Sequence, residues 1–131
     1  RPKVFIVEDD RINRALLSKM LENYADVTLA VDGVETLNII EQNFNKKIIF
    51  DIMLFDINLP APLDGVRLQK EIKQKYPEYE NIPFVAQTAY ALEQDKEKLL
   101  EEGFDDYIAK PVDSKVLIHI INRRIKFVEK K

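Results

Sequence analysis

Residues 4–10 read VFIVEDD, an apolar run that passes without a break into three adjacent carboxylates. A short apolar run rich in β-branched side chains is typical of a buried strand, here predicted over residues 3–7. Glu8, Asp9 and Asp10 then stand at its carboxyl end. Because neighbouring carboxylates repel one another, this stretch predicts that a positively charged group or a cation gathers beside it.

Apolar strands and amphipathic helices alternate along the rest of the chain. Further strands are predicted at residues 27–31, 48–55, 83–88 and 106–110. Helices are predicted at residues 12–24, 34–44, 66–76 and 93–102, and from Asp113 or Ser114 onward. Five strand–helix units with short connections indicate an α/β fold around a parallel sheet, with one domain over residues 1–131.

Several details of this pattern are specific enough to check. The run at 48–55 is the most hydrophobic and is expected at the centre of the sheet. Asp32 and Gly33 form a turn signal that is expected to close the second strand. Asp10 is expected to help begin the first helix rather than to bind a metal, and Leu16 of that helix is expected in the core. His119, inside VLIHII of the last helix, is expected to be structural.

Composition narrows the classes of function. The chain has 131 residues with a net charge of -3, from 23 acidic against 20 basic residues, which argues against nucleic-acid binding. It contains no cysteine, which excludes disulfides, thiolate chemistry and cysteine-ligated zinc. No apolar run approaches the ~20 residues of a membrane span. We therefore expect a cytoplasmic domain without membrane contact of its own, and since the chain opens with Arg1 we expect a piece of a longer protein.

Polar side chains follow four of the predicted strands. Glu8 and Asp9 follow the first, Asp56 the third, Thr88 the fourth and Lys110 the fifth. Ligands of open parallel sheets bind beyond the carboxyl ends of the strands, so these groups are expected to converge. Carboxylates suit Mg²⁺, while a lysine and a hydroxyl suit phosphate oxygens. Because a carboxylate is ionised at pH 7, it can attack phosphorus without a general base, and the residues predict a phosphoryl-accepting site.

These motifs, in this order and spacing, resemble the receiver domain of two-component response regulators over essentially the whole chain. The matching segments are VFIVEDD, IMLFDINLP, PFVAQTA and DYIAKP. The receivers fused to hybrid histidine kinases are the members that this chain resembles most. The resemblance to them lies in VEDDRINRALLSKML and in the segment from AQTAYAL to YIAKP. The resemblance implies a flavodoxin-like three-layer sandwich with strand order 2-1-3-4-5, and a signalling domain rather than an enzyme acting on an external substrate.

The resemblance also implies the parts of a metal-assisted phosphoacceptor site. Asp56 would accept the phosphoryl group. Asp9 would bind Mg²⁺ directly and Glu8 through a water, while Asn58 would offer its backbone carbonyl. Glu8 stands where many members have aspartate, and its longer side chain is expected to preserve the role.

Further roles follow from the same resemblance. Thr88 and Lys110 would bind the phosphoryl oxygens, and Tyr107 would be the aromatic that turns together with Thr88 when the domain switches. Asn58 and Tyr90 stand where the family tunes dephosphorylation. The loop DINLPAPLDG is one residue longer than the common pattern and carries two prolines, Pro60 and Pro62, which is expected to affect recognition more than chemistry.

The implied partner is a histidine kinase or a histidine phosphotransfer protein. The candidate docking residues are Ile12, Ala15 and Pro111. Leu16 is a fourth candidate, but burial in the core would make it unavailable to a partner. The domain is expected to be a monomer or a weak dimer.

Other classes of function fit the residues less well. A magnesium-dependent phosphatase of the haloacid dehalogenase type also uses an aspartate after a strand, but needs a second aspartate where Asn58 stands. A pseudo-receiver would not need the intact set of acids with Thr88 and Lys110, and a flavodoxin would need a hydroxyl-rich phosphate loop after the first strand. A stand-alone response regulator that acts by protein–protein contact remains an alternative.

Overall fold

The computed structural model describes residues 1–60, 63–89 and 92–129 of the chain. Its strands are β1 (Lys3–Val7), β2 (Asp26–Ala30), β3 (Ile52–Asp56), β4 (Phe84–Thr88) and β5 (Asp106–Ala109). Its helices are α1 (Arg11–Leu21), α2 (Gly33–Asn45), α3 (Gly65–Lys75), α4 (Glu93–Glu101) and α5 (Ser114–Glu129). A short 3₁₀ helix, Pro77–Asn81, lies between α3 and β4 and was not predicted from the sequence.

The five strands form one parallel sheet of order β2-β1-β3-β4-β5, which confirms the predicted α/β fold and strand order. All five residues of β3 are buried, and β3 lies at the centre of the sheet as expected. Val7 of β1 is level with Phe55 of β3, and Asp56 is level with Gln87 of β4. The carboxyl ends of the three central strands therefore meet at one edge.

Two hydrophobic cores cover the two faces of the sheet. Phe5, Phe55 and Phe84 pack towards α2, α3 and α4. Ile6 and Leu54 pack towards α1 and α5. Successive strand residues point to opposite faces, so a strand with helices on both sides must be apolar at almost every position. This two-sided burial explains why β1 and β3 are apolar at every position but one.

Aspartates begin four of the helices. The side chains of Asp10, Asp32 and Asp64 accept hydrogen bonds from backbone N–H groups in the first turns of α1, α2 and α3. Asp113 does the same for α5 through the N–H of Lys115. The expectation that Asp10 helps to begin the first helix is confirmed. The expectation of a turn after β2 is wrong, because Asp32 is the N-cap of a helix that starts at the next residue.

Some predicted boundaries and burials are also wrong. The strand predicted at 48–55 begins only at Ile52, because the N–H of Ile48 bonds back to the carbonyl of Asn43 near the end of α2. The helix predicted at 12–24 ends at Leu21. Leu16, expected in the core, is 52% exposed, since α1 turns its neighbour Leu17 to the sheet instead.

None of the helices within residues 1–60, 63–89 and 92–129 combines the length and the hydrophobicity that a membrane-spanning helix requires.

Candidate functional site

Three carboxylates meet at the edge where β1 and β3 end. Glu8 follows β1 directly, Asp9 is the next residue, and Asp56 is the last residue of β3. One carboxylate oxygen from each of the three lies within 4.8 Å of the others. Glu8 and Asp56 are each 1% exposed, whereas Asp9 is exposed, so the cluster opens to solvent on the side of Asp9.

Both carboxylate oxygens of Asp56 are held in place. Oδ1 accepts a hydrogen bond of 2.9 Å from the backbone N–H of Asn58, and Oδ2 accepts one of 2.9 Å from the ammonium of Lys110. The start of α3 packs against the same residue: a Cβ on Gly65 would lie 2.6 Å from the carbonyl oxygen of Asp56. The side chain and backbone of Asp56 are therefore fixed from three sides.

Lys110 brings the positive charge that the sequence predicts beside these acids. Its Nζ lies 2.9 Å from Oδ2 of Asp56 and 3.8 Å from Oε1 of Glu8. Its backbone N–H donates to the carbonyl of Thr88, which ties the end of β5 to the end of β4. Partial burial opposes the charged form, but the hydrogen bond and charge of Asp56, with the charges of Glu8 and Asp9, outweigh it and raise the pKa of Lys110.

Glu8 has more hydrogen-bonding partners than the sequence predicts. Its Oε1 accepts hydrogen bonds from the side-chain amides of Asn13, at 2.5 Å, and Gln87, at 3.0 Å, and its Oε2 accepts one from the N–H of Asp10 at 3.0 Å. Burial raises the pKa of Glu8 and the nearby charge of Asp56 raises it further; the hydrogen bonds from Asp10 and Asn13, with the charge of Lys110, only partly offset this.

Three residues around the acids were not predicted from the sequence: Asn13, Gln87 and Arg14. The guanidinium Nη1 of Arg14 donates to the backbone carbonyls of Glu8 and Asp9, at 2.9 Å each, and so fixes the acidic loop. A signal for Gln87 exists, because it is a polar residue inside the apolar run PFVAQT. No comparable pattern marks Asn13 or Arg14 on the polar side of α1.

The two predicted switch residues lie on neighbouring strands. Thr88 ends β4 and is 5% exposed, and Tyr107 is half-buried in β5. The ammonium of Lys96 lies 4.9 Å from the centroid of the Tyr107 ring, a cation–π contact. A cavity of about 330 Å³ lies beside Thr88, and its other lining residues are Ile57, Asn58, Val66, Asp95, Lys98, Leu99 and Glu102.

The predicted docking residues are all exposed. Ile12 is 71% exposed, and with Ala15 and Leu16 it lines a shallow groove on α1 that begins at Asp10. Pro111 is exposed in the loop after β5. Two further residues of the sequence analysis, Pro62 and Tyr90, lie outside the described residues.

The donor set fits a hard divalent cation. The three clustered carboxylates outnumber the lysine ammonium that faces them, and carboxylate oxygens are the ligands that Mg²⁺ prefers in proteins. A cation between Asp9 and Asp56 would relieve their mutual repulsion.

Similar sequences come from signalling kinases of very different organisms. The chain is 38% identical over 130 residues to hybrid signal transduction histidine kinase I of Dictyostelium discoideum, covering 97% of this chain and 7% of that protein. It is 33% identical over 123 residues to the sensor histidine kinase GacS of Pseudomonas protegens, covering 92% of this chain and 13% of that protein. An uncharacterized 14.6 kDa protein of Leptolyngbya boryana is 36% identical to this chain, and the match covers 92% of this chain and 87% of that protein.

Solved structures agree in fold. This chain is 32% identical to the receiver domain of the sensor histidine kinase PA1611 of Pseudomonas aeruginosa, with a TM-score of 0.81 over 95% of this chain and 98% of that one. The PA1611 receiver domain holds a magnesium ion coordinated in its active-site cleft. The receiver domain of the Francisella response regulator 1452 is 31% identical to this chain, with a TM-score of 0.80 over 98% of this chain and 99% of that one. The sequence model of the response regulator receiver domain matches residues 4–122. This chain therefore belongs to the receiver domain family of two-component signalling, with hybrid histidine kinases among its relatives.

Proposed function

We propose that this receiver accepts a phosphoryl group on Asp56 from a phosphohistidine, as one step of a phosphorelay. The observation that carries the proposal is the setting of Asp56 at the carboxyl end of the central strand. It is a buried carboxylate with one oxygen on the ammonium of Lys110 and with two further acids within reach of a shared cation. The domain acts on itself in this reaction, and the proposal includes no turnover of an external substrate.

The chemistry requires little beyond positioning and charge neutralisation. A carboxylate oxygen of Asp56 attacks phosphorus, a new O–P bond forms, and the N–P bond of the phosphohistidine breaks as the imidazole leaves with the electron pair. Lys110, already 2.9 Å from Oδ2, is placed to follow the negative charge onto the phosphoryl oxygens. Thr88, at the end of the adjacent strand, would donate its hydroxyl to another phosphoryl oxygen.

We propose that Mg²⁺ is the cation of this site. Asp9 and Asp56 would bind it directly, Asn58 through its backbone carbonyl, and Glu8 through a water. The magnesium ion in the PA1611 receiver supports this choice. Bound there, the ion neutralises the charge that develops on the transferring phosphoryl group.

Phosphorylation would switch the domain through Thr88 and Tyr107. A new charge on Asp56 attracts the hydroxyl of Thr88, and the Tyr107 ring would turn inward as Thr88 moves. The contact of Lys96 with the ring would have to change in the process. Such a device is a bistable element biased by a local charge.

The partner would be a histidine kinase or a histidine phosphotransfer protein. The exposed apolar side chains of Ile12 and Leu16, next to the site on α1, support a protein-binding role, with Ala15 and Pro111 at the same end of the domain. We infer that residues 1–131 form one domain of a longer protein of the hybrid-kinase type, because such kinases are among its relatives.

The proposal is tested with acetyl phosphate as a small phosphodonor. Intact-mass measurement should show one added phosphoryl group on the wild type in the presence of Mg²⁺, little addition when the metal is chelated, and none on Asp56→Asn. Label on Asp56→Asn at the wild-type level would overturn the assignment. Hydrolysis of an external phosphate ester that Asp56→Asn abolishes would favour the phosphatase alternative instead.

The metal roles are tested separately by calorimetric titration with Mg²⁺. Asp9→Ala should weaken binding strongly, because it removes a direct ligand, and Glu8→Gln should weaken it less. Equal affinities for the two variants would contradict the roles given to these acids.

A further inference from the structure

We propose that Asn13 and Gln87 are positioning residues of the metal site, an amide clamp that fixes the Glu8 carboxylate and leaves Oε2 as its oxygen with a lone pair free for the ion or its water shell. The clamp is defined as the two side-chain amides of these residues. The inference rests on the proposed function only through the magnesium site, and not on phosphoryl transfer itself.

The clamp is a closed set of hydrogen bonds. Nδ2 of Asn13 donates to Oε1 of Glu8 at 2.5 Å and to Oε1 of Gln87 at 3.0 Å. Nε2 of Gln87 donates to the same Oε1 of Glu8 at 3.0 Å. The three side chains come from α1, β4 and the end of β1, so the clamp joins three elements that are distant in the sequence.

Packing alone does not account for an amide at position 87. Gln87 is fully buried in β4, and Val85, two residues earlier on the same face, belongs to the apolar core towards α1 and α5. A polar group buried in such a core costs free energy unless it is hydrogen-bonded. Both polar ends of Gln87 are satisfied, one by Glu8 and one by Asn13. The amide is therefore matched to the carboxylate it holds.

The clamp limits how Glu8 can act. A carboxylate oxygen has about two lone-pair sites, so the two amides fill those of Oε1, and the ammonium of Lys110 stays 3.8 Å away. Oε2 accepts one N–H, from Asp10, and keeps a site free. Because rotation of the carboxylate would break these bonds, Glu8 is presented to the site with one oxygen in one orientation.

A neutral clamp suits a cation site better than a charged one. A lysine or arginine in place of Gln87 would hold Glu8 as well, but it would also neutralise the acids and compete with the metal. Mg²⁺ demands near-octahedral geometry, whereas Ca²⁺ tolerates flexible sites. Residues that orient ligands typically account for 10- to 100-fold in metal affinity, roughly, so the clamp should matter more for Mg²⁺ than for Ca²⁺.

Gln87→Met tests the clamp, because methionine keeps the length and shape of glutamine but makes neither hydrogen bond. Calorimetric titration of the whole chain should show Mg²⁺ affinity reduced about 10-fold or more and Ca²⁺ affinity reduced less. Asn13→Ala should act in the same direction. The double variant should lose less than the sum of the two, because both changes release the same oxygen.

Gln69→Met is the matched control. Gln69 is also a buried glutamine, 1% exposed, but its amide binds the carbonyl of Glu102 and lies on α3. This variant should keep the wild-type Mg²⁺ affinity, with folding of every variant followed by urea unfolding. Should Gln87→Met not fold, Asn13→Ala, on the half-buried side of α1, carries the test.

Wild-type Mg²⁺ affinity in the folded clamp variants, or an equal loss for Mg²⁺ and Ca²⁺, would overturn the proposal. These outcomes are separate from those of the proposed function. A wild type that binds Mg²⁺ but takes no phosphoryl group from acetyl phosphate would refute phosphoryl acceptance and leave the clamp standing.

Discussion

At the level of single residues, Lys110 supplies the positive charge that offsets the carboxylates of the site. Its ammonium contacts Asp56 and lies near Glu8, and both carboxylates are almost fully buried. Removing one partner of a buried ion pair leaves an uncompensated charge in a poorly solvated place, which costs more than the pair itself contributes. The raised pKa of Lys110 keeps this ammonium charged throughout the neutral range.

Lys110→Met should therefore destabilise the metal-free domain by about 2 kcal/mol at pH 7, measured by urea unfolding. Saturating Mg²⁺ should recover a larger part of the stability in the variant than in the wild type. Because the folded-state pKa of Lys110 is raised, its contribution is complete below the unfolded pKa and is lost only as the pH rises through the folded value.

Lys115→Met is the control for charge alone, since Lys115 is exposed in the first turn of α5. It should change stability by a few tenths of a kcal/mol, roughly. Equal unfolding free energies for Lys110→Met and Lys115→Met would contradict the role given to Lys110.

The acids and Lys110 of the candidate site could be picked out from the sequence because each stands at, or just after, the end of a strand. Glu8, Asp56 and Lys110 stand at strand ends, and parallel strands bring such ends together. Gln87 was missed because its role depends on a contact with Glu8, 79 positions away. Asn13 lies only five positions from Glu8, but nothing in the sequence shows that its amide turns to that carboxylate. No local pattern records a pairing of that kind.

At the scale of elements, the approach of α3 to β3 shapes the floor of the site. The N–H of Gly65 donates to the carbonyl of Ile57, and an added Cβ would lie 2.6 Å from the carbonyl oxygen of Asp56 and 3.1 Å from Cα of Ile57. These are backbone atoms at the end of a buried strand, so they cannot move aside as a flexible side chain would.

Gly65→Ala should push the start of α3 away from β3, with a cost of about 1–3 kcal/mol in urea unfolding. It should also weaken Mg²⁺ binding, because the displaced backbone includes that of Asp56 and its carboxylate moves with it. A variant with wild-type stability and wild-type Mg²⁺ affinity would show that the approach is not as tight as the structure has it.

The 3₁₀ helix Pro77–Asn81 connects to the segment before β3 through Tyr79. The Tyr79 hydroxyl accepts a hydrogen bond of 3.3 Å from the N–H of Phe50, and burial raises the pKa of Tyr79 above its ordinary value of 10.0. The folded state thus favours the neutral phenol. Stability from this group is complete below about pH 10 and falls as the pH rises from the unfolded pKa towards the raised folded value.

Tyr79→Phe should cost about 1 kcal/mol at pH 7, because the buried N–H of Phe50 loses its acceptor. Unfolding free energies measured from pH 7 to pH 11 should then converge, the wild type losing more stability in alkali than the variant. Parallel curves over this range would contradict the buried, neutral state of Tyr79.

The boundaries of elements were less predictable than their existence. Residues 48–55 are apolar except for Asp51, but Ile48 is held by the end of α2 and only Ile52–Asp56 enter the sheet. Similarly, Leu16 fits the apolar stripe of α1 by spacing, yet is half exposed. The spacing of apolar residues alone does not distinguish a residue that packs in the core or the sheet from one that packs elsewhere or is exposed at the surface.

The whole molecule is needed to assemble the site. Glu8, Asp56 and Lys110 come from the ends of three strands, and the clamp residues Asn13 and Gln87 add α1 and β4. A cation that binds only the folded chain stabilises all of it, by about 2.7 kcal/mol at a concentration 100 times its dissociation constant. A cation bound to these acids would therefore stabilise every element that contributes a residue to the site.

Chemical location of the phosphoryl group tests directly whether Asp56 is the phosphoacceptor. After reaction with acetyl phosphate and Mg²⁺, borohydride reduces an aspartyl phosphate to homoserine, and peptide mass mapping identifies the converted residue. We expect conversion at Asp56, with Asp9 and Glu8 unchanged. Conversion at another acidic residue, or a phosphorylated chain with Asp56 intact, would contradict this assignment.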